Sequence, residues 1–148
     1  MEWTITTPED LSTVVNTVLA TATTNGESNK ATVIALAGDL GAGKTTFVKM
    51  LAQQLGVTDT VTSPTFVVMK QYETSSPRFS HLVHMDAYRI TDQTELLPLH
   101  FAALLDQPQT LVCIEWAELI TEALPASYHR IHIDTVSDTV RHVTYESQ

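Results

Sequence analysis

The chain has 148 residues, of which 43% are apolar and 17% charged, a composition that excludes a disordered or collagen-like polymer and predicts one domain of ordinary size. Seventeen acidic against eight basic side chains give a formal charge of −9. No two bases are adjacent, so the cation cluster needed to grip DNA or RNA unaided is missing.

Unbroken apolar runs stop at five residues, as at Val33–Ala37, far short of a membrane-spanning helix, and no membrane association is expected. No Lys or Arg precedes Lys30, unlike the basic start of a signal peptide. One cysteine, Cys113, excludes an internal disulfide framework, and a reducing, cytoplasmic location is expected.

In chain order, WTIT at 3–6 reads as a short strand. A helix follows: Thr7 can cap it, Pro8 suits its first position, and Glu9 and Asp10 favour its positive end. Leu11, Val14, Val15, Val18, Leu19 and Ala22 then share one face. The polar stretch 21–30 (TATTNGESNK) reads as a loop. TVIALA at 32–37 is apolar throughout and β-branched, the pattern of a strand covered on both faces. Residues 44–55 read as a helix ended by Gly56. Segments 66–72 and 81–86 read as a hairpin around the polar ETSSPR loop. Residues 95–105 are helix-like with a break expected at Pro98. TLVCIE at 110–115 is a second buried strand, with Cys113 as inert core, and 131–134 and 139–145 read as a late hairpin. The fold class is therefore α/β: a mostly parallel central sheet with added antiparallel strands, flanked by helices.

Residues 38–45 read Gly38-Asp39-Leu40-Gly41-Ala42-Gly43-Lys44-Thr45, the G-x-x-x-x-G-K-[ST] pattern of a P-loop. Three of the five glycines lie inside it, after a predicted buried strand and before a predicted helix. Glycines let backbone N–H groups approach phosphate oxygens, and the helix start directs its positive end at the same anion. Lys44 would reach the terminal phosphates, and the Thr45 hydroxyl suits Mg²⁺, a cation that prefers oxygen ligands. Such a site needs an acid at the carboxyl end of a neighbouring strand. Asp86, ending HLVHMD, and Glu115, ending LVCIE, both qualify, and spacing alone does not divide metal binding from water orientation between them. Asn29-Lys30 is the one Asn-Lys pair, but it precedes the P-loop and is followed by Ala31 and Thr32, so no guanine reader follows and ATP is favoured. Arg78, Arg89, Arg130 and Arg141 are spread out, which argues against the arginine lid of a small-molecule kinase. Two histidine pairs, His81/His84 and His129/His132, have i,i+3 spacing that places their members on opposite faces of a strand, which disfavours a metal pair.

Taken together, GDLGAGKTTF at 38–47, SPTF at 63–66, HMDAYR at 84–89 and IEWAE at 114–118 resemble the bacterial TsaE (YjeE/YdiB) family, in order and in spacing. The ending LPASYHRIHID is similar to the family's final strands. The resemblance implies a P-loop NTPase-like fold and an accessory Mg²⁺-dependent ATPase in threonylcarbamoylation of adenosine 37 of tRNAs reading codons that begin with A. It implies a TsaD–TsaB synthase complex as partner, with tRNA met only through that complex. By the same resemblance, Asp39, Leu40, Gly41, Ala42, Gly43, Lys44, Thr45, Thr46, Thr65 and Trp116 would bind nucleotide. Thr45 and Glu115 would hold Mg²⁺, and Lys44, Asp86 and Glu115 would carry catalysis. Two departures stand out: Ala117 where the family often has proline, and Pro98 with His100 where it commonly has a glycine and an acidic, aromatic stretch. Two rivals remain on the same motif: a small-molecule kinase, and a nucleotide-gated interaction protein with negligible turnover.

Overall fold

The computed structural model describes residues 1–24 and 29–148. Its elements are β1 (Glu2–Ile5), α1 (Pro8–Thr24), β2 (Thr32–Ala37), α2 (Lys44–Gln54), β3 (Met69–Glu73), β4 (His81–Asp86), α3 (Phe101–Leu105), β5 (Thr110–Glu115), β6 (His129–Thr135) and β7 (Arg141–Ser147). Two 3₁₀ segments, Gln93–Leu99 and Ala117–Ala123, complete it.

The runs that are apolar on both faces become the middle of the sheet. The strand order is β1-β7-β6-β2-β5-β4-β3. Strands β6, β2, β5 and β4 run parallel; β3 joins one edge antiparallel, and β7 and β1 close the other edge antiparallel. The parallel centre, antiparallel additions and flanking helices are those expected from the sequence.

Alternation along the strands divides the core in two. Ile34, Leu36, Leu82, Leu111, Cys113 and Ile131 face α1 and α2, where Val14, Val15, Val18, Phe47, Val48 and Leu51 cover them. Val33, Ala35, Val83, Met85, Val112 and Ile114 face the other way, under Leu96, Phe101, Ala117 and Ile120. Cys113 is fully buried, and burial pushes its thiol well above the usual range, as expected of inert core.

Four readings are corrected. Helix α1 runs through Thr24, into the stretch expected as loop. Thr21, Thr23 and Thr24 donate their hydroxyls to the carbonyls of Thr17, Ala20 and Thr21, so these polar side chains stay in the helix. The rest of that expectation, at 25–28, lies outside the described residues. Strand β3 begins at Met69 and not at Phe66. The Pro64 carbonyl accepts from Val67 N and Val68 N, and Val68 sits at φ +70°, so the chain turns before it can pair. The break expected at Pro98 falls at His100, which is left-handed at φ 54°. A 3₁₀ segment holds Pro98, and an Asp92–Glu95 capping box starts it. The late hairpin differs on both strands: β6 is longer than expected, running from His129 to Thr135, and β7 keeps its expected length but is shifted two residues on, to Arg141–Ser147.

Candidate functional site

The site forms where β2, β4 and β5 end together. Residue register places Asp86 of β4 opposite Glu115 of β5, and Glu115 opposite Leu36 of β2. The loop after β2 and the start of α2 therefore meet both acids. Leu40, Gly41, Gly43, Lys44, Thr45, Thr46, Ser63, Thr65, Asp86, Glu115 and Trp116 line one pocket of about 230 Å³. Of the residues singled out from the sequence, Asp39 and Ala42 lie outside that lining. Asp39 contributes through its backbone, its carbonyl accepting from Lys44 Nζ at 2.8 Å and from Ala42 N at 3.0 Å. Ala42 is buried beneath the loop.

Local geometry explains why glycine recurs here. Gly38 has φ +143°, and a Cβ there would stand 2.4 Å from the Ile133 carbonyl oxygen, so the loop can pass β6 only without a side chain. Gly43 caps α2 at φ 112°, a conformation that turns the chain directly into the helix. No atoms lie within 4 Å of a Cβ at Gly43, so its backbone faces open space.

Lys44 is buried at 4% exposure. Its Nζ donates to Gly38 O at 2.5 Å and Asp39 O at 2.8 Å and lies 4.2 Å from the Trp116 ring centre. Burial pushes the ammonium below the usual lysine range, against the opposing pull of Glu115, Glu118, Asp86 and Asp39. Thr45 Oγ1 donates to Glu115, at 2.9 Å from Oε1 and 3.1 Å from Oε2. Asp86 Oδ2 accepts from Thr65 Oγ1 at 3.0 Å, and its Oδ1 accepts from Tyr88 N at 2.9 Å. Thr65 Oγ1 also lies 2.7 Å from Ser63 Oγ. The turn that displaced the start of β3 is thus the device that brings Thr65 to Asp86. Trp116, left-handed at φ 57°, packs its ring 5.1 Å from that of Tyr88.

Three participants were missed in the sequence. His84 Nε2 lies 2.5 Å from Glu115 Oε2; its place in HMDAYR was the available signal, obscured by treating it as half of a histidine pair. Tyr88 supplies both the backbone donor to Asp86 and the ring beside Trp116. Arg141 donates from Nε to Ala42 O at 3.1 Å and from Nη2 to Gly41 O at 3.5 Å, while Nη1 holds Ser137 O and Val140 O. No local pattern points from β7 to a loop about a hundred residues earlier.

A family model, "Threonylcarbamoyl adenosine biosynthesis protein TsaE", matches residues 8–143. The chain belongs to the TsaE family. That family is involved in tRNA threonylcarbamoyladenosine biosynthesis. The TsaE protein of Bacillus subtilis is 37% identical over 147 residues, which cover 98% of this chain and 84% of that one. The TsaE protein of Streptomyces coelicolor is 40% identical over 119 residues, covering 76% and 77%. The crystal structure of Bacillus subtilis YdiB superposes with a TM-score of 0.73 at 31% identity, covering 99% of this chain and 84% of that one.

Proposed function

We propose that this protein is a Mg²⁺-dependent ATP hydrolase that serves tRNA threonylcarbamoylation by cycling a TsaD–TsaB synthase complex. The observation that carries the reading is the convergence of Lys44, Thr45, Asp86 and Glu115 on one pocket at the carboxyl ends of parallel strands. The donor set also fits. A hydroxyl and a carboxylate already within hydrogen-bond distance are hard oxygen donors, and Mg²⁺ is typically held by one or two protein groups together with phosphates and waters.

In this reading, loop amides of Gly41 to Thr46 cradle the phosphates and the α2 N-terminus adds its dipole. Lys44 exchanges its carbonyl partners for β- and γ-phosphate oxygens. Thr45 Oγ1 and a Glu115 oxygen hold the metal. When bound, Mg²⁺ supplies charge neutralisation on the β- and γ-oxygens. Asp86, oriented by Thr65 and by Tyr88 N, supports hydrolysis from the metal shell or by orienting water. Hydrolysis breaks the bond between the γ-phosphorus and the ADP oxygen as water adds to phosphorus. A second cavity of about 260 Å³ shares Gly41, Gly43 and Thr46 with the first and continues to Ile5, Leu11, Thr139 and Arg141. Its position beside the phosphate loop suits the nucleoside end of the ligand.

Among the described residues lining the 230 Å³ pocket, Lys44 is the one cation. This supports slow turnover alone and completion of the site by a partner; an arginine supplied in trans raises such rates by about 10³–10⁵. Product analysis tests the reading. The protein should release inorganic phosphate and ADP, Lys44→Ala should abolish release, and Glu115→Ala should lose Mg²⁺-dependent release. Transfer of the phosphoryl group to an acceptor instead would replace it with a kinase.

A further inference from the structure

Strand alternation puts Leu82, His84 and Asp86 on one face of β4. His84 therefore sits one pleat below Asp86, opposite Cys113 and diagonal to Glu115. Its side chain is 0% exposed and that of Glu115 is 4% exposed. A carboxylate only accepts, so His84 Nε2 carries the hydrogen of the 2.5 Å contact to Oε2. Nδ1, buried as well, has no hydrogen-bond partner among the described residues.

That arrangement is costly as mere filling. A buried ring nitrogen without a partner loses its hydration, whereas an aliphatic side chain of similar volume would fill the space without that loss. What the imidazole alone provides is a fixed donor to Glu115. Among the described residues Thr45 is the other side-chain donor there, and it comes from the first turn of α2. His84 thus holds Oε2 from inside the core and leaves Oε1 turned toward the start of α2.

We propose that His84 is a positioning residue: its Nε2–H holds the Glu115 carboxylate in the orientation in which it meets a divalent cation beside the glycine loop. The proposal rests on the reading of this pocket as a metal–nucleotide site. Groups that orient metal ligands are commonly worth about 10–100-fold in metal affinity.

The probe is Mn²⁺, titrated into the full chain saturated with a non-hydrolysable ATP analogue and followed by water-proton relaxation. The analogue's own affinity is measured separately in EDTA. His84→Gln keeps an amide N–H near the position of Nε2, and its Mn²⁺ affinity should stay within about threefold of the parent. His84→Asn ends its amide near Nδ1, short of Glu115, and should weaken Mn²⁺ binding by about 10–100-fold. His84→Leu, which fills the ring's place with no donor, should do the same. Analogue binding in EDTA should be unchanged throughout. Parent-like Mn²⁺ affinity in His84→Asn or His84→Leu would overturn the proposal, as would an equal loss in His84→Gln and His84→Asn. Failure of both His84→Asn and His84→Leu to fold would assign His84 to packing and also overturn it. A parent that takes up the analogue but no Mn²⁺ would instead overturn the underlying reading of the site, and the inference with it.

Discussion

At the scale of single residues, the site is held by groups that satisfy one another. Lys44 has two carbonyls and an aromatic face, Thr45 has Glu115, and Asp86 has Thr65 and a backbone N–H. Removing the Lys44 ammonium should cost about 10²–10³-fold in phosphate release, the scale of losing one preorganised charged donor; turnover within tenfold of the parent would remove Lys44 from catalysis. Arg141 braces the loop through its bonds to Ala42 O and Gly41 O and lines the second cavity. Arg141→Met should weaken nucleotide binding about tenfold, the worth of one charge-assisted hydrogen bond. Trp116 fluorescence gives the reading, since its ring lies against Lys44. Cys113 should resist thiol reagents in the native protein and react only on unfolding, because burial raises its thiol and blocks access. The residues lying in contiguous motifs were legible in the sequence: Lys44 and Thr45 open α2, and Asp86 and Glu115 end β4 and β5. Arg141 was not, because its partner is fixed by the order of strands and not by spacing. His84 was visible as a histidine, but its function depends on which face of β4 it shares.

At the scale of elements, helix ends and turns decide where the site residues fall. Thr7 Oγ1 accepts from Asp10 N at 3.2 Å. Asp10 Oδ2 in return accepts from Thr6 N, Thr6 Oγ1 and Thr7 N, and these bonds, Thr6 N first, hold the Asp10 carboxyl below its ordinary range. A carboxyl lowered on folding stabilises fully above its unfolded pKa of about 3.9 and loses that contribution as pH falls through the folded value. The melting-temperature gap between parent and Asp10→Ala should therefore be full at neutral pH and narrow as pH is taken below about 4. A gap independent of pH would show that the charge is not what the cap uses. Gly56 ends α2 at φ +76°, and a Cβ there would stand 1.8 Å from Ser75 Oγ. Gly56→Ala should cost about 1–2 kcal/mol, from the left-handed strain alone, measured by denaturant titration. The start and apolar face of α1, helix α2 and strands β2, β4 and β5 were readable because capping residues and helical spacing mark the first, the glycine loop and Gly56 bracket the second, and apolar stretches mark the strands. The start of β3 was not: Phe66 and Val67 have strand-forming side chains, yet the Pro64 carbonyl draws the backbone into a turn. That turn is what carries Thr65 to Asp86, so the local departure from propensity sits at the candidate site.

At the scale of the whole molecule, topology places two buried acids side by side. Parallel pairing of β4 with β5 in register brings Asp86 and Glu115 together although 29 positions separate them in the chain. Sequence identified both acids at strand ends, but only the strand order makes them neighbours. The charge distribution acts at the same scale. A net −9 without a basic cluster should give no salt-sensitive complex with tRNA alone, as fluorescence anisotropy of labelled tRNA would show. Tight binding that weakens steeply with salt would contradict delivery of tRNA through a partner. The central claim is that this chain hydrolyses ATP and that a synthase complex completes its site. Phosphate release from Mg²⁺-ATP, measured with and without a TsaD–TsaB pair, tests it most directly. Release should be slow for the chain alone and markedly stimulated by the pair, and Lys44→Ala should abolish it. Nucleotide binding without phosphate release, unchanged across a full titration of the pair, would contradict it.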